Sequence, residues 1–261
     1  MAKRAFTWLA AAALFTGWGF AGSQAQLLPH QASHKHSVEV NYCMNEDAVK
    51  IADLSQAQPG DFVVYGKYDL NQPGKKEPLE WLVLERWNDR LLLVTRYCID
   101  SHTFHDGVAD RVWANSSLRD WMNSDFIDKT FTKEECQNIM TTSVRTEKNV
   151  RQGSEGGPNC SDKLFALSME EMYKYFDSNA ERQCRCVGVA CEHGVRVSSA
   201  KKTKGACCWW LRNKGYGKFN AACVEPDGYV NDFGEGVGYA DVGARPAMWL
   251  RVPTNVAPKG R

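Results

Sequence analysis

The cysteines have the widest chemical reach in this chain. Ten are present, and Cys184, Cys186, Cys191, Cys207 and Cys208 fall within 25 residues, with Cys223 close behind. Thiolates bind soft metals, exchange with disulfides or cross-link. Structural zinc sites use two spaced pairs of ligands, which Cys184-x-Cys186 and adjacent Cys207-Cys208 do not provide. An even number in an oxidising compartment points to disulfides, at least two of them expected in the 184–223 region, with buried thiols as the other outcome. Their connectivity does not follow from spacing. Within a strand, Cys207 and Cys208 must face opposite sides.

A second group carries hard oxygens. Glu225, Asp227, Asp232, Glu235 and Asp241, beside Asn231, are a carboxylate set of the kind calcium takes. Pro226-Asp227-Gly228, however, also reads as a turn, with Pro presetting φ and Gly accepting a positive one. The turn is the expected reading, with the acids facing water and no metal or other cofactor. His102, His105 and His193 have no identifiable nucleophile partner, and Gly-x-Ser-x-Gly and His-Glu-x-x-His are absent. His30, His34 and His36 read as part of a solvated lead-in. Arg212 and Arg245 could hold an anion by their forks or pack their stems at strand ends. Residues 213–241 differ in kind. Tyr216, Phe219, Asn220, Tyr229, Asn231, Phe233 and Tyr239 stand among glycines, a composition like that of paratope loops. Together with Arg212 they are the candidate ligand-binding residues; no catalytic residue is expected.

The elements that must hold these residues are legible in part. Asp61–Tyr65, Leu79–Glu85 and Arg90–Thr95 are β-rich, and Trp87-Asn88-Asp89 turns the second into the third. They are expected to form three antiparallel strands. Short helices follow at Ser117–Asn123, after Thr132-x-x-Glu135 and after Ser168-x-x-Glu171, the last two being capping boxes. Residues 151–161 read as a Gly-rich loop. Strand signals return at Cys208–Arg212, Asn220–Val224 and Arg245–Leu250, with Trp209, Trp210 and Trp249 as packing residues. The expectation is one α+β domain of antiparallel strands and short helices.

Composition bounds the class. The chain is 43% hydrophobic and 24% charged, with 32 basic against 31 acidic side chains. That balance argues against a protein held to nucleic acid by phosphate neutralisation. Residues 1–25 read as an export signal, from the Lys3-Arg4 start, the apolar run to Phe15 and the small residues at Ser23 and Ala25. The run is shorter than the ~20 apolar residues of a spanning helix, so no membrane span is expected after its removal. Residues 26–58 read as a flexible lead-in, 59–252 as the domain and 253–261 as a tail. The expected location is secreted, periplasmic or at the cell surface.

Six co-linear blocks carry a resemblance: Gly60–Gly66, Glu77–Leu84, Ser117–Asn123, Asp162–Ser168, Trp209–Arg212 and Arg245–Leu250. Over roughly residues 59–252 the chain resembles the bacterial family called domain of unknown function 6273. Its closing pattern, a Trp-rich strand, a Gly- and Asn-rich hairpin region and Arg-Pro-Ala-x-Trp, is similar to the C-type-lectin-like fold of formylglycine-generating and variable-receptor proteins. That likeness implies a C-type-lectin-like C-terminal part, and Glu225-Pro226-Asp227 resembles the calcium triplet of true lectins. Through the formylglycine-generating proteins it also implies a copper(I) thiol pair, for which Cys207, Cys208 and Cys223 are candidates. Two functional classes follow. One is an exported binding module that meets an extracellular protein or glycan with the 213–241 surface. The other is an exported Cys- or metal-dependent enzyme.

Overall fold

The computed structural model describes residues 48–107 and 110–252. The expected export signal, most of the lead-in and the tail lie outside the described residues. In chain order the strands are β1 (Lys50–Ile51), β2 (Phe62–Asp69), β3 (Lys76–Trp87), β4 (Arg90–Thr95), β5 (Asp100–Ser101), β6 (Thr142–Val144), β7 (Cys160–Asp162), β8 (Trp209–Lys214), β9 (Asn220–Val224), β10 (Val230–Gly236), β11 (Gly243–Ala244) and β12 (Ala247–Arg251). The helices are α1 (Ser117–Trp121), α2 (Ile127–Thr130), α3 (Lys133–Asn138), α4 (Met169–Tyr175), α5 (Asn179–Arg182) and α6 (Gly188–Glu192). No helix among the described residues is long and apolar enough to cross a membrane.

The strands form two five-stranded sheets, β1-β2-β3-β4-β12 and β10-β9-β8-β11-β5, with β6 and β7 as a separate pair. The three expected N-terminal strands are antiparallel neighbours, and Asn88, at φ 55°, takes the left-handed turn position that Asn tolerates. Leu91, Leu92, Leu93 and Val94 are all buried because β4 is central, covered on both faces. Ordered chain starts earlier than Gly60: Lys50 and Ile51 pair in parallel with Phe62 and Val63, and Ala57 is buried. Polar spacing hid this short edge strand, which has only two residues to show an alternation.

Two further boundaries differ from the sequence reading. The strand expected at Arg245–Leu250 starts two residues later, as β12, and a short strand, β11, precedes it. β11 lies in the second sheet beside β8, whereas β12 pairs with β4 in the first, so the chain crosses between sheets at Arg245-Pro246. Pro246 has no N–H to continue a ladder, and its carbonyl accepts from Thr95 N. The buried Arg245 guanidinium sits 4.6 Å from the Trp209 ring centre, and its Nε donates to Thr95 O. The first helix also runs on past Asn123, through a π turn at Met122–Phe126 into α2, because Phe126 and Ile127 continue the buried face. Both capping boxes are present, on α3 and α4.

Four tryptophans fill the core without exposure, and each indole N–H has an acceptor. Trp81 donates to Tyr65 O, Trp113 to Asp162, Trp209 to Arg182 O and Trp210 to His102 O. Asp162 also holds Arg119, at 2.7 Å, while Asn123 bonds the backbone of Lys163 and Leu164. Arg212 donates to Leu167 O and Ala166 O, so the blocks around residues 117–123, 162–168 and 209–212 are bonded in series. They build the frame.

Candidate functional site

β9 is flanked by two irregular strands. Between Trp210 and Lys214 on β8, and between Asn231 and Glu235 on β10, the register slips by two residues relative to β9. Such bulges re-aim side chains, and here they leave Asn213 buried and Phe233 exposed. Gly234 permits the second one. Its φ is 81°, and a Cβ there would lie 2.2 Å from Ala221 O. Gly234→Ala is expected to destabilise the fold by about 2 kcal/mol or more, from the left-handed backbone and the clash together. Urea unfolding checks this; an unchanged midpoint would remove the bulge from the account.

The loop 149–154 is latched to these bulges. Buried Asn149 donates to Lys214 O and Asp232 O, and Ser154 donates to Gly215 O. On this stitched base stand Tyr216 and Phe233, stacked with ring centres 4.8 Å apart and planes at 10°. Both are about half exposed, at 55% and 52%. Phe219 closes the β8–β9 loop, its carbonyl accepting from Val237 N, and Tyr239 lies against Gly236. These two are also half exposed. Four aromatic rings thus share one end of the second sheet.

The other candidate residues are placed differently. Tyr229 is exposed but stands at the β9–β10 turn, the opposite end of a five-residue strand about 16 Å long. Asn220 donates to Gly234 O, and Asn231 spends both polar ends inside, on Glu225 and Gly234 N. Arg212 does not reach the surface. It is 4% exposed and binds Glu171, Ala166 O and Arg145 O. The expected Pro226-Asp227-Gly228 turn is present, with Asp227 accepting from Tyr229 N. The carboxylates disperse: Glu235 and Asp241 pair with Arg196, and Asp232 faces Arg151 and Gln152.

Cys207 and Cys208 stand just before β8 and have different thiol neighbours. Cys98 and Cys184 sulfurs lie 3.6 Å apart beside Cys207, and Cys208 is hydrogen-bonded to Cys223. Among the described residues one disulfide, Cys186–Cys191, is formed, where at least two were expected; Cys184, Cys207, Cys208 and Cys223 are buried thiols. Burial pushes the Cys98 thiol well above its ordinary range. Hydrogen bonding to Cys184 does so for Cys207, and hydrogen bonding to Cys208 for Cys223, with burial adding to both. Cys208, Cys223 and Glu225 bring their ligand atoms within 4.8 Å of one another, a donor set that suits a soft cation. As a reacting centre it does not fit, because both sulfurs are fully buried and a substrate has no approach. In folded protein at neutral pH, iodoacetamide is expected to label half-buried Cys136 before Cys98, Cys207, Cys208 or Cys223, since the reagent must reach the sulfur and those four are buried. Pulse alkylation with peptide mapping checks the order, and early labelling of the buried set would overturn it.

Sequence spacing did not show the partners of the histidines. His193 Nδ1 lies 2.7 Å from Asp100, which also accepts from the Tyr68 hydroxyl, and these groups border a cleft of about 240 Å³. His105 contacts the Ser117 hydroxyl at 3.1 Å, and His102 packs on Trp121. All three contacts join segments far apart in sequence or across a loop. Spacing in sequence carries no signal for them.

No curated protein and no solved structure matches the chain. Residues 88–252 match the family described as domain of unknown function DUF6273, and the chain belongs to that family.

Proposed function

We propose that this is an exported bacterial binding module of C-type-lectin-like architecture, which takes a protein or glycan on the aromatic end of its second sheet without a metal. The observation that carries this reading is the concentration of exposed rings. Tyr216, Phe219, Phe233 and Tyr239 are each about half exposed on bulged strands whose backbone is fixed from below by Asn149 and Ser154. Rigid aromatic anchors on a fixed scaffold give contact area at low entropic cost. The architecture is supported by the return of β12 beside β4, which closes the first sheet with the last strand. Export is supported by the Lys3-Arg4 start and the small residues at Ser23 and Ala25, and agrees with the disulfide.

The test is capture. The mature chain, immobilised, is exposed to an oligosaccharide array and to purified extracellular proteins, with and without EDTA. Retention of a ligand in EDTA supports the reading. Loss of retention on chelation would favour a calcium-dependent site, and no retention from either panel would sink the module itself.

A further inference from the structure

Residues 193–224 contain no Asp or Glu and seven Lys or Arg. Three of those bases find carboxylates from elsewhere in the fold: Arg196 pairs with Glu235 and Asp241, Arg212 with Glu171, and Lys214 with Asp110. Lys201, Lys202 and Lys204 form no ion pair among the described residues. They share one cleft of about 560 Å³ with Arg185, over a floor of Val197, Gly205 and the Cys186–Cys191 disulfide. Among the described residues no carboxylate and no aromatic side chain lines it.

The loop that carries the lysines is built rather than loose. Ser198 N donates to Ala206 O, Gly205 N to Ser198 O and Ala206 N to Thr203 O, and the Ser198 and Thr203 hydroxyls bond at 2.7 Å. The disulfide ties α6 to the segment before it, fixing the opposite wall. Holding three like charges together without counter-charges is unfavourable for the free protein, and an anionic ligand relieves it.

We infer that this cleft binds an acidic oligosaccharide, one bearing carboxylate or sulfate groups. The volume is that of a small-ligand cleft, which takes a short oligomer and not a flat protein face. Single-stranded nucleic acid sites pair positive charge with aromatic stacking platforms, and this lining has none. Lysines suit such a ligand, because their point charges need no fixed bidentate geometry. The cleft is separate from the aromatic end and does not rest on that surface being a binding site.

The test titrates the full chain with a fluorescent heparin-derived tetrasaccharide at about 50 and 200 mM salt, where binding by charge weakens steeply as salt rises. K201Q/K202Q/K204Q is expected to bind about tenfold or more weakly and to lose most of the salt dependence, with an unchanged melting temperature, since all three side chains are exposed. Y216A/F233A/Y239A is expected to bind the tetrasaccharide as the parent does. The inference is overturned by absence of binding at low salt or by equal binding of the lysine variant. It is also overturned if an oligodeoxynucleotide or a polyglutamate peptide of equal charge competes more strongly than the tetrasaccharide. Loss of binding in the aromatic variant alone would move the anionic ligand to the other surface and overturn it too.

Discussion

Replacement of Tyr216, Phe233 and Tyr239 together by alanine is expected to abolish ligand capture while lowering the melting temperature by no more than about 6 °C. Exposed side chains away from the core contribute only about 0.5 kcal/mol each, and 1 kcal/mol corresponds to roughly 2–4 °C in a domain of this size. In a binding interface the same rings act as hot spots, where truncation costs about 2 kcal/mol or more apiece, so that losing three removes at least about a thousandfold in affinity. The stacked pair makes the contrast sharper. Tyr216 and Phe233 support each other at 4.8 Å and, among the described residues, stack on no buried ring, so their loss leaves the core packed. Differential scanning calorimetry and capture on the same preparation separate the two effects. A fall of ten degrees with capture retained would make these rings structural.

Arg212→Ala is expected to cost about 3–5 kcal/mol of stability, the price of leaving Glu171 without its partner in a largely buried pair. Glu171 is also the reciprocal member of the α4 capping box, accepting from Ser168 N, so the change disturbs the helix start as well. Arg212 further satisfies Ala166 O and Arg145 O, two carbonyls that alanine leaves without that donor. Lysine cannot restore the fork, and Arg212→Lys should recover less than half of the loss. Urea denaturation with the linear extrapolation checks both variants. A loss under 1 kcal/mol, with ligand capture abolished, would return Arg212 to the binding surface where its sequence position first placed it.

The frame was legible because its signals are local or periodic. The β3–β4 hairpin follows from apolar runs on either side of Trp87-Asn88-Asp89, and the α3 and α4 starts from Thr132 and Ser168 with an acid three residues on. The aromatic segment was legible as a composition, and its rings do lie at the surface. What sequence could not supply is the two-residue slip on each side of β9, which depends on Asn149 arriving from more than 60 positions away. That slip decides that Phe233 faces Tyr216 and that Asn231 turns inward. Arg212 was misplaced for a similar reason: Glu171 and Ala166 come from a helix and a loop about 40 positions earlier. Only the topology brings them to it.

Family membership has a structural counterpart. Arg119, Asn123, Asp162 and Arg212 bond the matched blocks into one frame, whereas the exposed rings stand on the hairpins between the last two blocks.

Hydrogen exchange of the mature chain, with and without whichever glycan or protein it retains, tests the central claim most directly. The account predicts protection confined to residues 215–220 and 232–239 and to the latched loop 149–154, with the rest of the second sheet unchanged. Protection at the β9–β10 turn around Tyr229 alone, or on the first sheet with none at Tyr216 and Phe233, would contradict it.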